Sequence, residues 1–434
     1  MAIYRKALEK MKAWMDNPRR KPLVLEGARQ VGKTWIMHEF GRLYFKDVFY
    51  INFDTQVEYK KFFEDTKQPS IIIDRLSLAR SKKIEPQKTL IIFDEIQECP
   101  NALNALKYFN EEAKEYFVIT AGSLLGVYLA KRHAHPVGQV NIIEVFPLDF
   151  EEFIQAIEPR LFQIYKRISN DLSIINVFHN DFVDAYKKYL LIGGMPEIVK
   201  SWIETADFTV LKSKFHELQQ IYERDFSKHH GEVEPERILM VYRNIPVQLA
   251  KENNRFVYGD IGKGARARNF ETAIEWLVTA GLIHRVYRTK KNEHPLKVFN
   301  DLGSFKLYFF DTGLIRHISN VANEAIMLDK DFQFKGALTE NYVLQQLKST
   351  EFNEPQYFTF AERYEIDFLV QDSHGDIIPI EVKSGESVSS ASFNVYSKTY
   401  APKKQVRFSL LPFRKDGDFV NIPLYLAGKI SELI

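Results

Sequence analysis

The stretch Pro22-Leu-Val-Leu-Glu-Gly27-Ala-Arg-Gln-Val-Gly-Lys-Thr34 decides the fold. Pro22–Leu25 reads as a short apolar strand, residues 27–34 match the pattern GxxxxGK[ST], and an amphipathic helix runs on to about Leu43. A strand before and a helix after is the context this pattern needs to hold a phosphate chain. Glycine lets the backbone approach the anion without a side-chain clash. The amides of Gly27, Ala28, Arg29, Gln30, Val31 and Gly32 then converge on it, and the helix N-terminus adds its dipole. Lys33 is expected to reach the β- and γ-phosphates, and Thr34 to give its hydroxyl to Mg²⁺. The expected ligand is therefore ATP with Mg²⁺.

Working outward, Val48–Phe53, Thr89–Phe93, Tyr116–Thr120 and Val140–Val145 read as further strands, with helical stretches between them. Short apolar strands alternating with helices predict an α/β domain with a parallel sheet. The run Leu90-Ile-Ile-Phe-Asp94-Glu95 carries an apolar strand into two acids. Asp94 is expected to hold the magnesium, and Glu95 to orient or deprotonate the attacking water as general base. That pair argues for hydrolysis and against a small-molecule kinase.

The whole chain sets wider bounds. Its 434 residues suggest two to four domains, at roughly 100–200 residues each. With 45% hydrophobic residues there is material for a sizeable core, and a net charge of +2 names no partner. The single cysteine, Cys99, excludes an internal disulfide and a four-cysteine zinc site, and fits a reducing compartment. The charged N-terminus lacks the apolar core of a signal peptide, and no stretch reaches the ~18 apolar residues of a membrane span. The expectation is a cytoplasmic protein without membrane contact.

The adjacent Asp94-Glu95 resembles the branch of P-loop ATPases that includes AAA+ and RecA-like enzymes. That resemblance implies a polar γ-phosphate sensor at the end of the next strand, for which Thr120 and Ser123 stand; Ser123 reads equally as a helix N-cap. Arg132 lies where an arginine finger is often found, and Lys131–His133 reads equally as a solvated helix end. Gly27–Thr34, Thr120-Ala-Gly-Ser-Leu-Leu-Gly126, Phe146-Pro-Leu-Asp-Phe-Glu-Glu-Phe153, Gly193-Gly-Met-Pro-Glu197, Trp276–Leu282 and Phe305–Leu314 together resemble a prokaryotic AAA-type ATPase family. Its members usually carry a C-terminal domain of unknown function.

The expected organisation is an ATPase core over 1–150, a helical lid over 151–230, a winged-helix-like domain over 231–318 and a nuclease-like domain over 319–434. Residues 150–230 are rich in helical patterning, with Phe150, Phe153, Ile154 and Ile157 on one face. Residues 235–290 read as two helices and a strand, which resembles a winged helix. From Lys251 to Lys291 there are nine Lys/Arg against four Asp/Glu, a local +5 suited to DNA phosphates. The same segment reads also as a plain packing or protein-interaction module.

In the C-terminal part, Asp372–Asp376 reads as a hairpin turn. If the hairpin is symmetric about His374, Asp367 lies opposite Glu381, and side-chain alternation puts Asp367, Glu381 and Lys383 on one face. With Glu340 on the preceding helix, these residues resemble the PD-(D/E)xK nuclease fold in its archaeal Holliday-junction-resolvase-like form, that is, a restriction-endonuclease-like domain. The resemblance implies Mg²⁺ on Glu340, Asp367 and Glu381, with Lys383 positioning the nucleophile. The other reading is an acid–lysine cluster that holds the hairpin in a domain that binds DNA or protein without cutting. Self-association is left open by the sequence.

Overall fold

A computed structural model describes residues 3–122, 138–228, 234–251, 254–361, 363–386 and 391–434. The chain divides into two compact units, Met1–Phe146 with Thr279–Gly281, and Pro147–Val278 with Leu282–Ile434. Among the described residues no helix is long and apolar enough to cross a membrane.

In the first unit, β1 (Leu23–Glu26), β2 (Asp47–Asn52), β3 (Thr89–Asp94), β4 (Phe117–Ala121) and β5 (Asn141–Glu144) form a parallel sheet in the order β2-β3-β4-β1-β5. Each strand falls where an apolar run is expected. On one face Ile72 and Leu76 of helix Pro69–Ala79 and Leu103, Leu106 and Phe109 of helix Pro100–Glu112 share a core with Phe49, Ile51, Ile91 and Phe93. Helix Ala7–Asp16 brings Trp14 against Phe40 and Phe117. Both faces are covered, as a parallel sheet requires. The order places β4 between β1 and β3, so that Thr120 pairs with Val24 on one side and Phe93 on the other.

The second unit begins with helices, Phe150–Ile157, Pro159–Tyr165, Ile174–Ile192, Pro196–Thr205 and Phe208–Lys228, as the patterning over 150–230 predicts. Asp149 caps the first of them in a capping box with Glu152. An eight-stranded sheet follows, built from β6 (Ile283–Thr289), β7 (Asn300–Phe309), β8 (Gln356–Phe360), β9 (Tyr364–Gln371), β10 (Ile377–Val382), β11 (Gln405–Ser409), β12 (Arg414–Asp416) and β13 (Phe419–Pro423). Its order is β12-β13-β11-β10-β9-β8-β6-β7.

The sheet runs across the boundary expected at 318/319. Arg288 and Thr289 of β6 pair in parallel with Tyr357 and Phe358 of β8, so the ribbon read as a wing and the nuclease-like strands are one layer. The physical reason is the edge: an unpaired strand exposes a row of amides and carbonyls, and pairing with β8 removes it.

Three of the motifs outside the first unit's loop meet in one node. Leu148 N–H donates to Gly194 O at 2.7 Å, and Gly194 N–H donates to Asp311 Oδ2 at 2.7 Å. Asp311 Oδ1 accepts from Leu314 N–H at 2.8 Å, capping helix Thr312–Ile318. Burial pushes the Asp311 carboxyl up to about 6, against the pull of these N–H donors. A Cβ on Gly194 would lie 2.1 Å from Leu148 O, so only glycine permits the approach. Gly194→Ala should lower the second unit's denaturation midpoint by the equivalent of about 2–3 kcal/mol, the cost of forced overpacking. Gly336→Ala, where nothing lies within 4 Å, should be neutral or slightly stabilising; equal midpoints for the two variants would refute this account of the node.

Candidate functional site

The loop between β1 and helix Lys33–Tyr44 is held from several sides. A Cβ on Gly27 would fall 2.2 Å from Val145 O, so that position accepts no side chain. Lys33 is buried, and its Nζ donates to Gly27 O at 2.8 Å and Ala28 O at 2.9 Å. Burial pulls the Lys33 ammonium down to about 8, while the nearby Glu95 and Asp94 act in the opposite direction. Ala28 and Val31 are buried, Arg29 is half-buried and Gln30 is exposed.

Thr34 Oγ1 donates to Asp94 Oδ2 at 2.7 Å, so the residues expected to share a magnesium already share a hydrogen bond. Tyr50 OH donates to the same oxygen at 3.0 Å, and burial pushes that phenol up to about 12. Tyr50 escapes the sequence reading because it looks like one more apolar strand residue. Glu95 follows with φ +48° and accepts from Gln97 Nε2 at 2.5 Å. A non-glycine residue in the left-handed region carries about 1–2 kcal/mol of strain, and such strain concentrates at functional sites. Thr120 Oγ1 is fully buried with no hydrogen-bond partner among the described residues. Ser123 and Arg132 lie outside the described residues.

Residues 19–154 match the family model of the AAA domain. This segment is an AAA-type P-loop domain. Residues 183–325 and 335–425 match two domains of unknown function, DUF8612 and DUF4143. An uncharacterized protein of Methanocaldococcus jannaschii is 24% identical over 402 residues, covering 91% of this chain and 82% of that protein. Among solved structures, a Walker-type ATPase of Pyrococcus abyssi aligns with a TM-score of 0.42 at 13% identity, covering 73% of this chain and 96% of that one. The ORC1 protein of Aeropyrum pernix, solved in complex with DNA, aligns with a TM-score of 0.27 at 13% identity, covering 74% and 93%.

The AAA-type domain's loop and acids are thus assembled within the first unit. A magnesium–nucleotide complex fits them: a glycine approach, a lysine, a hydroxyl beside a carboxylate, and the buried hydroxyl of Thr120, without a partner among the described residues.

The second unit holds the other expected set. The β9–β10 register runs Ile378↔Val370 and Ile380↔Phe368, symmetric about His374 as expected. Asp367 Oδ2 accepts from Val382 N–H at 2.7 Å, and Lys383 Nζ pairs with Glu381 Oε1 at 2.9 Å. Glu340 accepts from Tyr308 OH at 2.9 Å and from Asn254 Nδ2 at 3.1 Å. The residue the sequence reading missed is Lys306 on β7. Its fully buried Nζ lies 2.7 Å from Glu365 and 3.8 Å from Glu340. Burial opposes its charge, yet Tyr308, Glu340, Glu365 and Asp367 hold the ammonium well above its ordinary value. Burial and then Glu340 keep Asp367 well above the usual carboxylate range. A lysine inside the apolar run Phe305-Lys-Leu-Tyr-Phe309 was the available signal.

Glu340, Glu365 and Asp367 surround the internal Lys306 ammonium, while Glu381 pairs with Lys383, and among the described residues no three His, Cys, Asp or Glu side chains converge as metal ligands. Lys306→Met should cost about 3–5 kcal/mol at pH 7.5, the penalty for leaving buried charge uncompensated. Burial already holds the Glu365 and Asp367 carboxyls above their ordinary values against the pull of Lys306, and without the ammonium they rise further. The native state then gains protons, so the loss should shrink as pH falls from 7.5 to 5. Denaturation midpoints of both proteins across that range measure it; a pH-independent difference would contradict the network.

Proposed function

We propose that the first unit binds ATP with Mg²⁺ and hydrolyses it. The observation that carries this reading is the Thr34–Asp94 hydrogen bond of 2.7 Å at the head of the phosphate-binding loop. Lys33 leaves its two loop carbonyls to meet the β- and γ-phosphates, and the amides of residues 27–32 cradle them. Thr34 and Asp94 hold the magnesium, which when bound neutralises charge between the β- and γ-oxygens. Glu95, oriented by Gln97, positions the attacking water and accepts its proton. Thr120, on the strand between the two motif strands, donates its hydroxyl to the γ-phosphate. Lys33→Ala should abolish turnover in a folded protein. Glu95→Gln should keep ATP affinity while hydrolysis falls ~10²-fold or more. Wild-type turnover in the Lys33 variant would end this reading.

For the second unit we propose a nucleic-acid-binding role without strand cleavage. Of the cations between Lys251 and Lys291, Lys251, Arg285, Arg288, Lys290 and Lys291 have acidic partners. The side chains of Lys263, Arg266 and Arg268 are exposed and have no hydrogen-bond or ion-pair partner among the described residues. They stand within one turn of the start of helix Ala267–Thr279, around Gly264, whose surroundings are open. Three unneutralised cations beside accessible backbone suit a phosphate chain. Replacing all three with alanine should weaken DNA binding ~10-fold or more and flatten its salt dependence by about two to three charges. Lys290→Ala with Lys291→Ala should do less. Equal binding by wild type and the triple variant, or binding of only a protein ligand, would refute it.

A further inference from the structure

Arg5 belongs to no motif and precedes the first helix, Ala7–Asp16, yet its side chain is buried, with 3% exposure. Its Nη1 donates to Val31 O at 2.7 Å, and its Nη2 donates to Phe146 O. Val31 belongs to the phosphate-binding loop and precedes Gly32. A single planar peptide carries the Val31 carbonyl and the Gly32 N–H, and in a trans peptide the two point in opposite directions. A guanidinium that holds the oxygen therefore fixes the Gly32 N–H in the opposite direction, away from Arg5. The second bond reaches the residue after Val145, and Val145 O is the atom against which Gly27 packs. One side chain thus ties the far end of the loop to the segment on which its near end rests.

We propose that Arg5 is a positioning residue for the phosphates of ATP: it sets the Val31–Gly32 peptide in the orientation that receives an anion. This rests on the ATPase reading of the first unit. A merely structural arginine would affect stability alone, whereas a positioning arginine sets affinity.

The test uses full-length Arg5→Met, Arg5→Lys and Arg5→Ala proteins, with titration of MgATP, steady-state hydrolysis and thermal melting. Arg5→Met should weaken ATP binding and raise KM by roughly 10–100-fold, the range for hydrogen bonds made by a charged group, with a smaller change in kcat. Arg5→Lys should recover part of the affinity, and millimolar guanidinium should restore part of it to Arg5→Ala. ATP affinity in Arg5→Met within twofold of wild type would overturn the proposal. So would an affinity loss that tracks the fall in melting temperature in all three variants with no rescue by guanidinium. A wild-type protein that binds no ATP would overturn both this proposal and the ATPase reading, so the two failures are distinct.

Discussion

An ammonium group leaves water only if something else compensates its charge, and the two units meet that constraint in opposite ways. Lys33 is buried against two loop carbonyls, and burial loosens its hold on the proton more than the nearby Glu95 and Asp94 restore it. A group so placed gains from an arriving anion. Lys306 is buried among carboxylates and a tyrosine, and its proton is held tightly. It has no unmet need that a ligand could fill. The same side chain is thus open to an arriving anion in one setting and paired within the fold in the other.

The family signature divides along the same line. Gly27–Thr34 and Asp94-Glu95 gather a buried ammonium, a hydroxyl and two carboxylates. The motifs at Leu148, Gly194 and Asp311 instead satisfy one another, backbone to backbone and backbone to carboxylate. Their residue types are fixed by geometry: a glycine where a carbonyl comes too close for a Cβ, and an acid where two N–H groups need one acceptor. A motif can therefore identify a family while saying nothing of its substrate.

Much of this was legible in the sequence. The first unit's strands are short apolar runs separated by helices, and each falls close to its expected place. The hairpin register followed from counting outward from His374, because a tight turn fixes register locally. The Thr34–Asp94 pairing follows from the two motifs once both strands are known to be parallel. What was hidden depends on long-range pairing. Neither β6 nor β8 carries any mark that they are neighbours, and Lys306 inside Phe305–Phe309 looks like an outward-facing strand residue until the layer above it is known. Arg5 was invisible for a related reason: a lone arginine before a helix has no periodic partner to betray its burial.

The β6–β8 pairing has a consequence for how the second unit is made. The β6–β7 hairpin is a local structure that can close as soon as Phe309 is synthesised, but the edge of β6 at Arg288 and Thr289 stays open until Gln356–Phe360 follows. Pairings between distant segments form slowly, because chain entropy is lost before the contact is gained. During that interval a strand edge is available to other chains. A chain interrupted between the two segments would therefore carry a half-built sheet with the β6 edge open.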